Sequence, residues 1–163
     1  MTGFSVVALP GIYAMSQDLS GTILTVFLIA AIFGSLPGGW LADKTHREVL
    51  VLVGCFLIMA LALCIIATGI LPLWLVFVGM IVAGFMRGLY NASRDILVRR
   101  IAPEGSVGTA FAFVTVGYTV GLGTTPVIYG WLMDNDYGNG VFYLSASYAL
   151  FAIVTVLIPS KES

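Results

Sequence analysis

Arg87 is the charged side chain of this sequence that is best placed to bind another molecule, because it lies inside the apolar run 73–92. Asn91 and Arg94 follow it by four and seven positions, so a helix would present all three side chains on one face. A charge in apolar surroundings is costly and usually faces a cavity or a partner. The spacing therefore predicts a polar stripe along a cavity wall, which could bind an anionic solute or a carboxylate from another helix.

A second interpretation of Arg87 needs no ligand. Arg87 lies seven residues before Arg94, which is roughly 10 Å along a helix. A long cationic side chain can extend toward the headgroups of a bilayer over part of that distance. Arg94 and Asp95 would then belong to a polar network at the membrane surface. The residues alone leave both interpretations open.

Hydroxyl groups in the run 108–132 extend the set of candidates for a cavity wall. Tyr118 and Thr119 are the first choices, and Thr125 and Tyr129 follow on the same run. These hydroxyls could equally bond carbonyl groups of their own helix. Small and helix-bending residues also mark this run, namely Gly117, Gly121, Pro126 and Gly130. They predict a helix that packs closely on a neighbour, or one that bends as a cavity opens.

The sequence contains few residues suited to catalysis. His46 is the only histidine, and it lies in a connection between apolar runs, whereas an intramembrane serine hydrolase needs its serine and histidine close together within the membrane. Metal binding would need a cluster of histidine, cysteine and carboxylate ligands, and the spacing shows none. We therefore expect no enzyme activity, no cofactor and no metal. A proton-carrying carboxylate, if the chain has one, would be Asp18 or Asp95.

The composition sets the class of protein. The chain has 163 residues, of which 60% are hydrophobic and 9% are charged, too few charges to cover a water-soluble globule. The net charge is −1 and the charges are grouped between apolar runs, so there is no basic face for nucleic acid. An all-α membrane protein that forms one domain over residues 1–163 is predicted.

Six apolar runs predict six membrane-spanning helices, since a span needs about 20 residues. They cover residues 3–15, 19–41, 49–67, 73–92, 108–132 and 141–158, and the first is short and interrupted at Pro10. Among the connections, only the alternate ones 43–48 and 94–105 carry positive charge, and a further lysine lies in the C-terminal tail. The positive-inside rule then predicts both termini in the cytoplasm, in a plasma (inner) membrane.

A repeated motif indicates internal symmetry. Residues 39–43 and 130–134 both read Gly-Trp-Leu-x-Asp, and they close the second and the fifth run. Their aspartates are predicted on opposite sides of the membrane. Two inverted repeats of three helices would produce this arrangement, which is common in transporter folds.

The segment 34–47 combines glycines, a proline, an acid and two bases between two apolar runs. It predicts a sharp turn at the membrane surface, preceded by glycines that allow close helix approach, Gly34, Gly38 and Gly39. The pattern Gly39-x-Leu-Ala-Asp43-Lys44-x-x-Arg47 resembles the cytoplasmic loop motif of the major facilitator superfamily. The segment 92–105, followed by Gly108-x-Ala-Phe-x-Phe113, is similar to bacterial carriers of that superfamily.

This resemblance covers nearly the whole chain and is to the C-terminal six-helix half of a twelve-helix carrier. The drug-efflux branch, including fosmidomycin-resistance-like carriers, is the most similar. It implies a secondary carrier of a small solute, truncated or half-size, that works by alternating access and needs a second six-helix half, either another chain or a copy of itself. It also implies a gating role for the loop-motif residues Gly39, Asp43, Lys44, Arg47, Arg94 and Asp95. A membrane subunit that assists assembly without transporting anything is the alternative.

Overall fold

The computed structural model describes residues 9–10, 12–13, 15–44, 48–103, 105–135 and 137–157. It contains five long helices: α1 (Gln17–Lys44), α2 (Glu48–Ala67), α3 (Leu73–Ile101), α4 (Val107–Asp134) and α5 (Gly138–Leu157). The described residues include no strand, which confirms the all-helical prediction for that part of the chain. These helices correspond to the second through sixth predicted spans. The first predicted span, 3–15, lies mostly outside the described residues, so the count of six stays a prediction.

Four of the described helices are long and apolar enough to cross a membrane. Their candidate spans are Gln17–Leu41, Val49–Ala67, Leu73–Ile101 and Val107–Asp134, and α5 contributes a shorter apolar stretch, Gly140–Val154. In α2 the mean hydropathy of this stretch reaches 3.2, so the helix has no polar face to offer to water. The chain is therefore a multi-pass membrane protein.

The turn predicted between residues 34 and 47 is wrong over most of that segment. α1 continues as a helix through Pro37 to Lys44. Membrane helices tolerate an internal proline because neighbouring helices and local adjustments compensate for the lost backbone hydrogen bond. Gly34 and Gly38 serve helix packing, and residues 45–47, which include Arg47, lie outside the described residues.

α3 also runs further than predicted. The apolar run was expected to end at residue 92, but the helix continues to Ile101, so most of the predicted loop 94–105 is helical. Residues 93–101 contain no glycine or proline, and two arginines in the last turn favour the helix by interacting with its carboxyl-terminal dipole. Ala102 then becomes extended, with φ −68° and ψ 132°, because it precedes Pro103.

α1 and α3 approach each other closely along four glycines, Gly34, Gly38, Gly84 and Gly88, which we call the glycine seam. A Cβ atom at any of these positions would collide with backbone atoms of the opposite helix. Gly34 faces the backbone of Phe85, and Gly88 faces that of Ala31. The predicted close approach is therefore confirmed for Gly34 and Gly38. Gly39 has no neighbouring heavy atom within 4 Å of a built Cβ, so it lies outside the seam.

The hydrophobic core lies among α1, α2, α3 and α5. Its fully buried side chains include Ile23, Leu63, Ile66, Val76, Met80 and Phe142. Two residues of the first predicted span join it: Leu9 is fully buried, and the Tyr13 hydroxyl donates a hydrogen bond of 2.7 Å to the Ile66 carbonyl. Tyr13 is thus attached at the carboxyl end of α2.

α4 lies at the side of this core with little of its surface covered. Tyr129 is its one buried residue. Built Cβ atoms at Gly117, Gly121 and Gly130 meet no heavy atom within 4 Å. Within the described part of the chain these positions have no packing partner, and α4 continues as a helix through Pro126. The predicted packing role of these residues stays a prediction that requires a surface from elsewhere.

Candidate functional site

A cavity of about 390 Å³, here called the aromatic cavity, opens between the helices. All five described helices contribute to its wall. Its aromatic rings come from Phe27 of α1, Phe56 of α2, Tyr90 of α3, Tyr118 and Tyr129 of α4, and Tyr148 of α5. Its size falls in the range of small-molecule sites, which are mostly apolar and carry a few polar groups that orient the ligand.

Arg87 is the one charged side chain of the described residues that lines the aromatic cavity. Its guanidinium carbon lies 5.6 Å from the centroid of the Phe27 ring, a distance typical of a cation–π contact. No carboxylate in the described part of the chain forms an ion pair with it. The cavity thus contains a positive charge that a ring partly stabilises and that no protein acid among these residues neutralises.

The wall beside Arg87 is braced by an aromatic pair between α2 and α3. The ring centroids of Phe56 and Tyr90 lie 4.9 Å apart with the planes tilted by 38°. Tilted pairs at this distance contribute about 0.5–1.5 kcal/mol beyond their burial. The pair holds Tyr90 next to the cavity, one helical turn from Arg87.

A buried hydrogen-bond chain connects α4 to α5 on the opposite wall. The Ser145 hydroxyl donates to the Val141 carbonyl at 2.7 Å. Its oxygen then accepts from the Tyr129 hydroxyl at 2.6 Å. Both side chains line the cavity, but their hydroxyl groups already bond protein atoms. These two hydroxyls are therefore less available to a ligand than their position indicates.

A second cavity of about 340 Å³, here called the polar cavity, lies between α3 and α4. Its wall includes Asn91, Arg94 and Asp95 of α3 together with Thr115 of α4. Tyr118 borders both cavities. α3 is helical through the whole predicted stripe, but the three stripe residues are divided: Arg87 faces the aromatic cavity, whereas Asn91 and Arg94 face the polar one.

Arg94 differs from Arg87 in having an acidic partner. Its Nε and Nη2 atoms both donate to Oδ1 of Asp95, at 3.0 Å and 2.7 Å. The two side chains are 33% and 50% exposed, so this ion pair is near the surface. Its contribution to stability is small for that reason.

The threonines of α4 bond their own helix. Thr119 donates to the Thr115 carbonyl at 2.9 Å, and Thr125 donates to the Gly121 carbonyl at 2.6 Å. Thr125 lines the aromatic cavity, whereas Thr119 lines neither cavity. Of the four candidates for a solute site, the structure therefore places Arg87 and Tyr118 at the aromatic cavity, Asn91 at the polar one, and Thr119 at neither.

The loop-motif residues are seen only in part. Lys44 ends α1 with its Nζ atom 4.6 Å from the centroid of the Trp40 ring. Asp43 belongs to the helix, but its side chain, like the whole of Arg47, lies outside the described residues. The gating role stays a prediction.

Sequence reasoning missed several wall residues: Phe27, Phe56, Tyr90, Ser145 and Tyr148. Aromatic residues are common in membrane helices, and nothing in their spacing marks these as neighbours. They meet because α2 packs on both α3 and α5, and no local pattern encodes that arrangement. In the described part of the chain no three histidine, cysteine or carboxylate side chains cluster as metal ligands would.

Apolar helices that pack side by side around a cavity with one cationic side chain define a class, that of multi-pass membrane proteins with an internal cavity. A family model described as the Major Facilitator Superfamily matches residues 1–163. The chain therefore belongs to the Major Facilitator Superfamily. This is a family of transporters, which at the level of the family supports a protein that is not an enzyme.

Curated relatives match at low identity. The MFS transporter asaE of Aspergillus flavus is 31% identical over 131 residues, which are 77% of this chain and 28% of the relative. Facilitated glucose transporter member 10 of solute carrier family 2, from Xenopus laevis, is 26% identical over 85% of this chain and 25% of its own length. An uncharacterized transporter of Buchnera aphidicola is 24% identical over 91% of this chain and 37% of its own length. The chain spans about a quarter to a third of these relatives, and no solved structure matches it.

Proposed function

We propose that this chain is one bundle of a secondary carrier that binds a small solute in the aromatic cavity and exposes it alternately to the two sides of the membrane. The observation that carries the proposal is Arg87, a cation without an acidic partner among the described residues, in a ligand-sized cavity walled by five helices. Carriers of this architecture hold their solute near the bilayer midplane. Arg87, Tyr118 and Thr125 are the proposed contacts.

The bundle is proposed to work only with a second six-helix half, either another chain or a copy of this one. Two observations support this. α4 contains glycines outside the aromatic cavity at which a Cβ atom would meet no neighbour in the described chain, among them Gly117 and Gly130. The chain also matches only 25–37% of the length of the relatives named above. Small residues are what membrane helices use to pack closely, so the open glycines of α4 suit a second bundle.

Six spans in two inverted repeats, with both termini cytoplasmic in the plasma (inner) membrane, form the proposed topology. α1 and α4 are both 28 residues long, and each contains one proline and ends in Gly-Trp-Leu-x-Asp. Trp40 and Trp131 are 60% and 62% exposed, as expected for counterpart tryptophans at opposite interfaces. Lysine and arginine at the ends of α1 and α3 support a cytoplasmic location for those ends.

The end of α1 and the end of α3 are proposed to gate the cytoplasmic side. Gly39, Asp43, Lys44 and Arg47 belong to the first group, and the Arg94–Asp95 ion pair belongs to the second. The surface position of that pair lets it open at small cost, as a gate must.

Uptake into proteoliposomes tests the proposal. The full chain is reconstituted, its stoichiometry is measured by single-molecule photobleaching, and uptake of radiolabelled solutes is followed. We expect saturable uptake from vesicles that hold paired bundles, and a loss of at least tenfold with Arg87→Gln. Arg99→Gln, whose exposed side chain lines neither cavity, is the matched control. Paired bundles that move no solute would favour the alternative, a subunit that only assists assembly.

A further inference from the structure

We infer that the aromatic cavity selects a monoanion with an apolar body, of which an aromatic carboxylate is the simplest example. The volume of 390 Å³ suits a molecule on the order of ten to twenty non-hydrogen atoms. This inference rests on the proposed function, because it names the class of solute for the same site. The inference goes beyond the proposed function because it chooses among the chemical classes of solute that a carrier could bind.

The negative charge follows from Arg87. An arginine side chain keeps its proton at any physiological pH. In a membrane interior such a charge is retained where it has a partner, and the described part of the chain supplies a ring from Phe27 but no acid. A ring covers one face of the planar guanidinium and leaves its N–H edge available. Two parallel N–H groups on that edge match the two oxygens of a carboxylate.

A single negative charge, not two, is indicated by the state of the second arginine. Arg94 is engaged by Asp95 and belongs to the polar cavity. The aromatic cavity therefore supplies one cationic group among the described residues. A dianion such as a phosphate monoester would leave one of its charges unmatched in apolar surroundings, at a cost that its binding would have to overcome.

The apolar body follows from the rest of the wall. Six aromatic rings are joined there by aliphatic side chains from α2 and α4, Met59, Leu63 and Leu122. Three of the six hydroxyls on the wall are already engaged, because Thr125 donates to its own helix and Tyr129 and Ser145 bond each other. That leaves the hydroxyls of Tyr90, Tyr118 and Tyr148, which are fewer than the hydroxyls of a hexose. A sugar that leaves water needs a hydrogen-bond partner for each hydroxyl. A ring or branched chain needs only contact, which these walls provide.

Binding to the purified full chain tests the inference without requiring transport. The chain is placed in nanodiscs of phosphatidylcholine, and equilibrium dialysis measures three radiolabelled probes: 3-phenylpropionate, its uncharged analogue 3-phenylpropanol, and glucose. We expect the carboxylate to bind at least tenfold more tightly than the alcohol, and glucose not to saturate. Arg87→Gln should remove the preference for the carboxylate and leave the alcohol unchanged. Arg87→Lys should restore part of it, and Arg99→Gln, at an exposed position outside both cavities, should keep all of it.

Several results would overturn the inference. These are equal affinities for acid and alcohol, an Arg87→Gln variant that binds the acid as the wild type does, tighter binding of glucose, and no saturable binding of any probe. Binding of 3-phenylpropionate is also measured in nanodiscs of phosphatidylglycerol, an anionic lipid. Complete loss of binding in these nanodiscs would assign the anion site to a lipid headgroup. Circular dichroism checks that each variant is folded.

The two proposals fail in different ways. Binding with the expected preference but without uptake by paired bundles would refute the carrier and leave the chemistry of the cavity standing. Uptake of a sugar that 3-phenylpropionate does not inhibit would refute the choice of solute and leave the carrier standing.

Discussion

α1 and α4 have the same length, each contains a proline, and each ends in the same motif, yet they are packed in opposite ways. In α1, Gly34 and Gly38 lie against the backbone of α3, where even a methyl group would collide. In α4, Gly117 and Gly130 have no neighbouring heavy atom where a Cβ would lie, and Gly121 lines the aromatic cavity. Glycines at helical spacing therefore indicate that a surface permits close approach, but the partner decides whether the approach takes place.

This difference in packing is expected for a bundle in which one side is packed within the chain and another side is left uncovered. The α1–α3 side is complete within this chain. The α4 side keeps its small residues uncovered, which is unfavourable for a helix unless another surface packs there. We propose that α4 is the helix through which this bundle would meet a second six-helix half.

Gly88→Ala tests the closed side and should have the largest effect. The added methyl group would overlap the carbonyl group of Ala31 and the backbone nitrogen of Ser35, and neither can move without shifting α1. Overpacking of this kind costs about 1–3 kcal/mol, and contact with backbone places this case at the upper end. Reversible unfolding in mixed micelles of dodecyl sulfate, followed by circular dichroism, measures the change in the free energy of unfolding.

Gly117→Ala is the matched control on the open side. With no heavy atom near the new methyl group, the free energy of unfolding should stay within about 0.5 kcal/mol of the wild-type value or increase, because alanine favours a helix over glycine. Equal destabilisation by the two substitutions would remove the contrast between α1 and α4.

Tyr129→Phe tests what holds α4 to the bundle at all. The substitution removes the hydroxyl that donates to Ser145 and keeps the buried ring. Hydrogen bonds between membrane helices contribute on average about 0.6 kcal/mol and at most about 1.7 kcal/mol. We expect a loss in that range, together with faster amide hydrogen exchange in α4 than in α3. Unchanged exchange in α4 would mean that the bond does not fasten the helix.

Asp95→Asn should have the smallest effect on stability. The carboxylate accepts both bonds of Arg94 at a half-exposed position, where ion pairs contribute about 0–1 kcal/mol. The melting temperature should change little, and the small difference should vanish at high salt. A large loss of stability would show that the end of α3 is more tightly integrated than its exposure indicates.

The apolar runs predicted the positions of α1 to α5, because the hydrophobic requirement of a membrane span is a local property of the chain. The ends of the helices were harder to predict. α3 extends nine residues past the predicted end because Ser93 to Ile101 favour a helix outside the apolar run as well, and hydropathy does not measure that preference.

The candidate site was predictable only where a local property of the sequence marked a residue. Arg87 is conspicuous as a charge in an apolar run, so its place at a cavity could be expected. The aromatic rings around it could not, because Phe56 and Tyr148 reach that cavity only through the way α2 and α5 pack. Thr119 was a reasonable candidate by type, and its bond to Thr115 was the alternative that the spacing also permitted.

We propose that α1 and α4 are counterpart helices that cross the membrane in opposite directions. The short connections between successive helices imply this, and thiol labelling tests it. Single cysteines replace Lys44 and Asn135 in a background with Cys55→Ala and Cys64→Ala, and intact cells are treated with a membrane-impermeant maleimide. We predict that position 135 is labelled in intact cells and that position 44 is labelled only after permeabilisation. Labelling of both positions from the same side would contradict the inverted arrangement of the two helices.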